Sequence, residues 1–354
     1  MKIASLVSGG VDSSLTIHLL KEQGFDPHIF YIKIGLEDDP AWVDCPSQED
    51  IEIVTFIAKK YGCPFDVISL QEEYWERVIS YTIDSVKKGL TPNPDMMCNK
   101  MIKFGAFEEK HGKDFDAIST GHYATTLMLN SEKFLSTAKD SFKDQTYFLG
   151  QISRRQLSKL MFPIGNLLKH EVRDLAARSK LPSAFRKDSQ GICFLGKINY
   201  SDFIKRYVGE KPGMIIELET GKNLGSHRGL WFHTIGQRKG LGLGGGPWFV
   251  VKKDLENNII YVSNGYDPVT QYRNMITLTH FSFINEVPDR DYTVKLPVKF
   301  KIRHQPEFNE GFLVKEQTDY VVYAEEPVSG VAPGQFGVIY TPDGKICLGS
   351  GVIS

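Results

Sequence analysis

The stretch KIASLVSGGVDSS, residues 2–14, decides the fold of the first half of this chain. KIASLV has the length and apolar content of a buried strand, and two glycines follow it directly. The next segment, SSLTIHLLKEQG, has apolar residues at helical spacing and ends at Gly24, as helices commonly do. Strand, glycine turn and helix in this order predict a βα unit whose turn lies at the carboxyl end of a parallel sheet.

The alternation of strands and helices continues beyond this unit. HIFYIKI, PFDVISL and DAISTGH are strand-like, and SQEDIEIVTFIAKKYG and residues 72–89 are helical, which predicts an α/β fold with a doubly wound parallel sheet. From about residue 205, short β-like runs between Gly, Pro, Asn and Asp turns predict two smaller β domains, the last barrel-like. We therefore expect domains at 1–204, 205–274 and 275–354, with a basic helical segment at about 143–200.

Bulk composition excludes several classes of protein. A hydrophobic content of 41% and a charged content of 24% over 354 residues are typical of globular proteins, and no apolar run is long enough to span a membrane. The apolar stretch at the start is too short for a secretory signal. The five cysteines include no CxxC pair, which argues against a zinc or iron–sulfur site and favours a reduced, cytoplasmic setting.

Charge is unevenly distributed along the chain. The formal net charge is −1, yet the stretch from Lys143 to Asp188 contains ten basic and only four acidic residues. Such a segment can bind phosphates, but solvated helix faces are the simpler explanation of the same composition.

The SGGVDSS turn, residues 8–14, is a candidate phosphate site. Gly9 and Gly10 let backbone N–H groups approach an anion, the helix N-terminus adds partial positive charge, and Ser8, Ser13 and Ser14 add hydroxyls. The turn lacks the lysine of a Walker A loop and the GxGxxG of a dinucleotide fold. A plain glycine turn with a serine cap is the alternative, and the position after the first strand favours phosphate binding.

SGGVDSS resembles the PP-loop of the ATP pyrophosphatases, which have an adenine nucleotide α-hydrolase-like fold and cleave ATP between the α- and β-phosphates. The resemblance implies ATP binding by the 1–204 domain, with Mg²⁺ near Asp12 and no firmly assigned metal ligands. The residues that it assigns to ATP are Leu6, Val7, Ser8, Gly9, Gly10, Val11, Asp12, Ser13, Ile32 and Gly121.

Within that superfamily the chain is most similar to the bacterial tRNA-specific 2-thiouridylases. The similarity runs nearly end to end through SGGVDSS, TPNPDMMCNKMIKF, TGHYA, KDQTYFL, KDSQGICFL, TIGQRKGLGLGG and a C-terminal APGQ. It implies ATP-dependent 2-thiolation of the wobble uridine, position 34, in tRNAs for Lys, Glu and Gln. In that reaction O2 of the uridine is adenylated and a persulfide sulfur replaces it at C2.

The resemblance assigns roles to two thiols. Cys98 matches the nucleophile and Cys193 the residue that carries sulfur as a persulfide, received from a cysteine desulfurase or a sulfur-relay protein. Asp95, three positions before Cys98, is a candidate general acid/base. Cys45, Cys63 and Cys347 have no assigned role.

The resemblance also assigns contacts with tRNA, and it makes the basic helical segment at about 143–200 a tRNA-binding segment. Asn93, Pro94 and Asp95 would contact the target base, and further contacts would come from Lys143, Asp144, Gln145, Arg303 and His304. The family usually has Arg-Tyr where this chain has Arg303 and His304. The Gly-rich run 234–246 is interpreted as a structural β-hairpin loop, with Gln237, Arg238 and Lys239 as candidate RNA contacts. We expect a monomer with no membrane contact.

Two alternatives from other functional classes remain open. A PP-loop ligase that forms amides or guanidines would use ATP in the same way but would need neither Cys98 nor Cys193. A non-catalytic RNA-binding module would not consume ATP.

Overall fold

The computed structural model describes residues 1–35, 47–188, 200–265, 272–285 and 294–354. Cys45 and Cys193, together with any role predicted for them, lie outside these ranges. No helix within the described ranges is long and apolar enough to cross a membrane.

The first domain is built on a parallel sheet. The strands of this domain are β1 (Ile3–Leu6), β2 (His28–Lys33), β3 (Phe65–Ser69), β4 (Ala117–Thr120), β5 (Thr125–Leu129), β6 (Glu132–Ser136) and β7 (Leu160–Met161). Their order in the main sheet is β3-β2-β1-β4-β7, and β5 and β6 form a separate antiparallel pair. Because the chain order reverses at β1, a crevice opens at the carboxyl ends of β1 and β4, where such sheets bind ligands.

Helices surround this sheet as the alternation of the sequence predicts. They are α1 (Val11–Glu22), α2 (Ser47–Tyr61), α3 (Gln71–Tyr74), α4 (Ser80–Lys87), α5 (Pro94–Cys98), α6 (Thr146–Leu149), α7 (Arg154–Lys159), α8 (Lys169–Arg178) and α9 (Tyr200–Tyr207). A π-helical turn, Trp75–Ile79, joins α3 to α4, and two more, Asn99–Ala106 and Glu108–Gly112, continue α5.

A four-stranded sheet follows α9, and we call it the central sheet. Its strands are β8 (Gly213–Glu217), β9 (Asn223–His227), β10 (Trp248–Asp254) and β11 (Ile259–Asn264), in the order β10-β11-β8-β9. The expectation that 234–246 is a β-hairpin loop is wrong, because the strands that flank it, β9 and β10, lie at opposite edges of the sheet. The run is instead part of the long connection between β9 and β10, in which a 3₁₀ turn, Leu230–Phe232, precedes it.

The last strands close into a barrel, which confirms the barrel-like expectation. They are β12 (Tyr272–Phe283), β13 (Leu296–Lys301), β14 (Asn309–Glu316), β15 (Asp319–Ser329), β16 (Phe336–Tyr340) and β17 (Cys347–Ile353). Side chains of β16 share one hydrophobic core with Tyr147 and Leu149 of α6. The α/β class with smaller β domains is therefore confirmed. The divisions at 204/205 and 274/275 stay a proposal. The first would fall within α9 and the second within β12.

Candidate active site at the carboxyl edge of the parallel sheet

The loop between β1 and α1, residues 7–10, presents backbone groups to the crevice. Gly9 has a φ of +77°, which favours glycine, and a Cβ there would lie 3.0 Å from the Cα of Asp50. Gly10 is the N-cap of α1 and supplies no side-chain hydrogen bond to it. Since the twelve-residue helix α1 therefore has no side-chain cap, its first N–H groups are suited to an anion.

Gly121 fixes the other side of the same loop. It directly follows β4, which pairs with β1 in parallel register from Ile3 with Ala117 to Leu6 with Thr120. A Cβ on Gly121 would lie 2.5 Å from the backbone nitrogen of Ser13, closer than any side chain tolerates. Glycine is thus required for the loop after β4 to reach the start of α1.

The three loop serines do not contribute equally. Ser8 is exposed, whereas the Ser13 hydroxyl accepts from the Ser8 N–H at 3.1 Å and donates to the Gly10 carbonyl at 3.2 Å. Ser14 is fully buried, and its hydroxyl has no partner among the described residues. In this structure, Ser8 therefore has the hydroxyl best placed to meet a ligand, and Ser13 shapes the loop.

Asp12 is held by a lysine from a distant helix. The Lys169 ammonium donates to both Asp12 carboxylate oxygens at 2.7 and 2.8 Å, and the Tyr123 hydroxyl donates to Asp12 at 2.9 Å. Burial, and then the Asp12 charge, raises the pKa of Tyr123 well above its usual value, so Tyr123 is a neutral donor at pH 7. Lys169 is largely buried and places a positive charge beside a loop that carries no lysine of its own.

Lys169 also contacts Asp188, which precedes the segment that contains Cys193. Asp188 accepts from Lys143 at 2.9 Å and from Arg173 at 2.5 Å, and lies 3.0 Å from Lys169. Burial alone would raise the pKa of Asp188, but the hydrogen bonds from Lys143 and Lys169 outweigh it and lower this pKa to about 2. Asp12 and Asp188 thus share one lysine.

Cys98 ends a short helix whose start is rigid. The Asn93 side chain caps α5 by accepting from the Met96 N–H at 3.1 Å, and Pro94 occupies the first turn. Asp95 and Cys98 are three residues apart on α5, so their side chains lie on one face. Cys98 is 2% exposed, and Asp95 lines an open cleft. The same short helix thus carries a buried thiol and a partly exposed carboxylate.

The Cys98 helix is connected to the crevice through His122. The His122 ring lies 6.1 Å from that of Phe104, in the π-helical continuation of α5, and adjoins Gly121. Burial, and then the nearby Lys103, lowers the pKa of His122 well below its usual value. Lys103 itself donates to Asn99 at 2.9 Å. Ile32 lies on β2 and is partly buried against the hydrophobic core that contains Cys98 and Phe104.

Comparison with known proteins identifies the family. Three family models match consecutive parts of the chain: a tRNA methyl transferase HUP domain at 1–197, a tRNA methyl transferase PRC-barrel domain at 201–264 and an aminomethyltransferase β-barrel domain at 273–353. The chain is 64% identical over 353 residues to the tRNA-specific 2-thiouridylase MnmA of Parabacteroides distasonis, covering all of this chain and 99% of that protein. The chain belongs to the MnmA family. It is also 62% identical over 358 residues to the MnmA of Porphyromonas gingivalis and 59% identical over 355 residues to MnmA 1 of Bacteroides thetaiotaomicron, with coverage of 99% and 100% of those proteins.

Two groups that the MnmA resemblance assigns to tRNA meet in this structure. His304 bonds the Asp144 carbonyl at 3.0 Å and stacks on Phe148 at 4.7 Å, which joins Arg303–His304 to Lys143–Gln145. Of these residues, Lys143 and Arg303 extend charged groups toward solvent. Asp144 and Gln145 use their side chains within the protein.

The side chains of Asp144 and Gln145 stabilise neighbouring segments. Asp144 is 3% exposed, accepts from Thr146 at 2.7 Å and lies 3.7 Å from the Lys301 ammonium of the barrel. Gln145 accepts from the Tyr123 N–H at 2.9 Å. Their contacts with tRNA stay a prediction, which in this conformation would require backbone groups or a rearrangement.

The basic segment 143–188 is less positive than its composition indicates. Seven of its ten basic side chains form ion pairs with described acidic residues. Several of these acids lie outside the segment, including Asp12, Asp50, Glu108 and Glu132. A role of this segment in tRNA binding stays a prediction, and Arg155, 83% exposed, is its most accessible paired cation.

The structure adds site residues to which the sequence had assigned no role. Lys169 lies in LLKHEV, a segment typical of any amphipathic helix, and Asp188 belongs to the KDSQGICFL block without an assigned task. Gln335 belongs to the APGQ block but had no assigned task. Its amide nitrogen donates to the carbonyls of Thr91 at 3.2 Å and Pro92 at 3.0 Å, and its oxygen accepts from Asn93 at 3.4 Å. Gln335 thus attaches the loop before Cys98 to the barrel.

The other two described thiols, Cys63 and Cys347, fit no catalytic role. Burial raises the pKa of Cys347, which lies in the core shared with the barrel, and also that of the half-buried Cys63. Both are therefore protonated at neutral pH and poorly nucleophilic.

Proposed function

We propose that this chain catalyses ATP-dependent 2-thiolation of uridine 34 in tRNAs for Lys, Glu and Gln, acting in the cytoplasm as a monomer. The observation that carries the proposal is end-to-end identity of 59–64% to proteins named tRNA-specific 2-thiouridylase. A glycine loop suited to phosphates and a helix that presents Cys98 at the same end of the molecule support it.

The nucleotide would bind with its phosphates at residues 7–13. Backbone N–H groups at the start of α1 would contact the phosphates, and Lys169 would supply the cation that a Walker A loop takes from its own lysine. The Asp12 carboxylate is a hard oxygen donor of the kind that Mg²⁺ prefers, so Asp12 fits the expected ion once Lys169 turns to the phosphates. A bound Mg²⁺ would offset the negative charge of the phosphates.

In the first step, uridine O2 attacks the α-phosphorus, pyrophosphate leaves and N3 loses its proton. The oxygen at C2 thereby becomes part of a good leaving group, AMP. Asn93, Pro94 and Asp95 would hold the uracil, and the rigid cap of α5 suits a base that must stay at one position relative to Cys98.

In the second step, the terminal sulfur of a Cys193 persulfide adds to C2. The Cys98 thiolate attacks the Cys193 sulfur, the S–S bond breaks with its electrons passing to the transferred sulfur, and AMP leaves with O2. Asp95 would accept the Cys98 proton. The products are 2-thiouridine, AMP and a Cys98–Cys193 disulfide, which a thiol reductant must reduce before the next turnover. A cysteine desulfurase or sulfur-relay protein would then reload Cys193 with sulfur.

The test is tRNA thiolation in vitro, followed by mass spectrometry of the nucleosides. With ATP, Mg²⁺, a cysteine desulfurase, cysteine and a thiol reductant, the wild type should form 2-thiouridine and AMP. Cys98→Ser and Cys193→Ser should each lose at least about 1000-fold in thiolation and still bind ATP, whereas Cys63→Ser should behave as wild type. Wild-type thiolation rates in both Cys98→Ser and Cys193→Ser would overturn the proposal and leave a ligase of the same superfamily.

A further inference from the structure

A cleft of about 370 Å³ opens where the parallel-sheet domain, the central sheet and the barrel meet. One wall is the loop Leu90–Asp95, and the opposite wall is Trp231–Thr234 with Gln237, from the connection after β9. Phe148, Tyr200 and Gln335 complete the cleft. We call Trp231–Thr234 and Gln237 the central-sheet wall. This wall has no role in the function proposed above.

The central-sheet wall is held firmly in place. The Trp231 indole N–H donates to the Gly209 carbonyl at 2.8 Å, and the Thr234 N–H donates to the Gln237 side chain at 2.9 Å. Lys253 donates to the Gly89 carbonyl at 3.3 Å, which fixes the central sheet to the segment that enters the opposite wall. The cleft is thus preformed and does not depend on one flexible side chain.

The chemistry of this wall is that of a nucleobase site. Trp231 and Phe232 are partly buried aromatic residues, and the Arg228 guanidinium lies 5.0 Å from the Phe232 ring. His233 is 8% exposed, and its Nδ1 has no hydrogen-bond partner among the described residues. Burial, and then neighbouring His227, lowers the pKa of His233 to about 4, so the ring is neutral at pH 7. Proteins bind unpaired bases by stacking them on flat aromatic faces, with cations and available polar atoms nearby.

We propose that Trp231 and Phe232 stack against an unpaired base of the tRNA anticodon loop, from a nucleotide adjacent to the target uridine. The inference rests on the proposed function. The target uracil itself is excluded, because it must meet both the nucleotide loop and Cys98, and neither residues 7–13 nor Cys98 line this cleft. Asn93–Asp95 do line the cleft. Because these residues would also hold the target uracil, the neighbouring base of the anticodon loop would reach the cleft beside them.

The experiment uses the full-length protein and a 17-nucleotide anticodon stem-loop RNA. In two versions of the probe, 2-aminopurine replaces the base on the 5′ or on the 3′ side of the target uridine. At least one probe should lose fluorescence on binding to the wild type. Trp231→Ala should abolish this quenching and weaken RNA binding roughly 10-fold, within the range seen for loss of one stacked base.

Trp231→Phe separates stacking from a structural role, since it keeps an aromatic ring and loses the N–H bond to Gly209. It should bind RNA within about 3-fold of wild type, and so should Tyr261→Ala, which alters a central-sheet aromatic residue outside the cleft. ATP affinity without RNA should be unchanged in all three variants. Wild-type RNA affinity in Trp231→Ala, or an equal loss in Trp231→Phe, would overturn the inference. If the wild type binds the probe but forms no 2-thiouridine, the proposed function fails and the stacking result still stands.

Discussion

The glycine loop after β1 and the loop before Cys98 both belong to the candidate active site, but they are built differently. Residues 7–10 take their shape from the turn itself, from Asp50 and from Gly121, which directly follows the neighbouring strand β4. Residues 90–95 are held from outside, by Gln335 of the barrel and by the Thr91 N–H bond to the Pro333 carbonyl at 2.8 Å. The first loop depends on neighbours within the parallel-sheet domain, whereas the second depends on residues near the other end of the chain.

Because of this difference, damage to the two loops should affect different substrates. A change at the glycine loop should impair ATP binding with or without tRNA. A change at the supports of residues 90–95 should leave ATP binding intact and impair the handling of tRNA. The predictions below test this separation.

The largest effect is expected at Gly121. In Gly121→Ala the new methyl group would overlap the backbone of Ser13, which belongs to a helix start and cannot move freely. We expect ATP affinity without tRNA to fall at least about 100-fold, measured by calorimetry, with thiolation falling in parallel.

The control for this prediction is Gly244→Ala, where an added Cβ would meet no atom within 4 Å. This variant should retain wild-type ATP affinity. Normal ATP binding in Gly121→Ala would show that the loop after β4 does not shape the nucleotide site.

A smaller effect is expected from Lys169→Met, which removes the cation shared by Asp12 and Asp188. The KM for ATP should rise roughly 30-fold, because the phosphates lose a charged hydrogen bond in a partly buried site, while the KM for tRNA should stay within about 2-fold. Steady-state kinetics with each substrate varied in turn would measure both. Lys139→Met is the matched control, since Lys139 pairs with Glu171 on the surface. An increase confined to the tRNA KM would reassign Lys169 to RNA binding.

A still smaller effect, on the other substrate, is expected from Gln335→Ala. Loss of the bonds to Thr91, Pro92 and Asn93 should loosen residues 90–95. We expect kcat/KM for tRNA to fall about 10-fold, with ATP affinity unchanged. Gln48→Ala, which removes a surface bond to Glu52, should have no effect on either substrate. If Gln335→Ala weakens ATP binding as much as tRNA turnover, the two loops are not independent.

The same contrast explains what the sequence could predict. The strands around β1 and the glycine loop follow from short apolar runs and from glycines next to them, which act locally. Gly121 was assigned to ATP through the family resemblance alone. Lys169 could not be found in this way, because it reaches Asp12 across 157 positions of the chain and its own helix has no unusual pattern. The longest described strand, β12, is also hard to recognise in the sequence, since YRNMITLTHFSF mixes polar and apolar residues without a clean alternation.

The basic segment 143–188 shows the limit of composition. Its excess of basic residues is compatible with a phosphate-binding surface, but the acids that neutralise much of it come from other parts of the chain. The side chain of Asp144 is likewise buried beside Lys301, although its motif predicted contact with tRNA. Only the folded structure shows which charges are already paired.

The smallest effect concerns Asp188 and is expected in stability as a function of pH. Its folded pKa of about 2 lies below the ordinary value of 3.8, so its contribution is complete above pH 4 and is lost as pH falls from about 4 to 2. With screening at a site one-third exposed, we expect on the order of 1–2 kcal/mol. Thermal unfolding of the wild type and Asp188→Asn between pH 2.5 and 6 should therefore give a gap in melting temperature that closes toward the acid end. Asp26→Asn alters an exposed partner of Lys21 and should give almost no gap. If the difference in melting temperature between wild type and Asp188→Asn persists unchanged at low pH, the amide disturbs packing. In that case Lys143, Lys169 and Arg173 do not depend on the charge of this carboxylate for their arrangement.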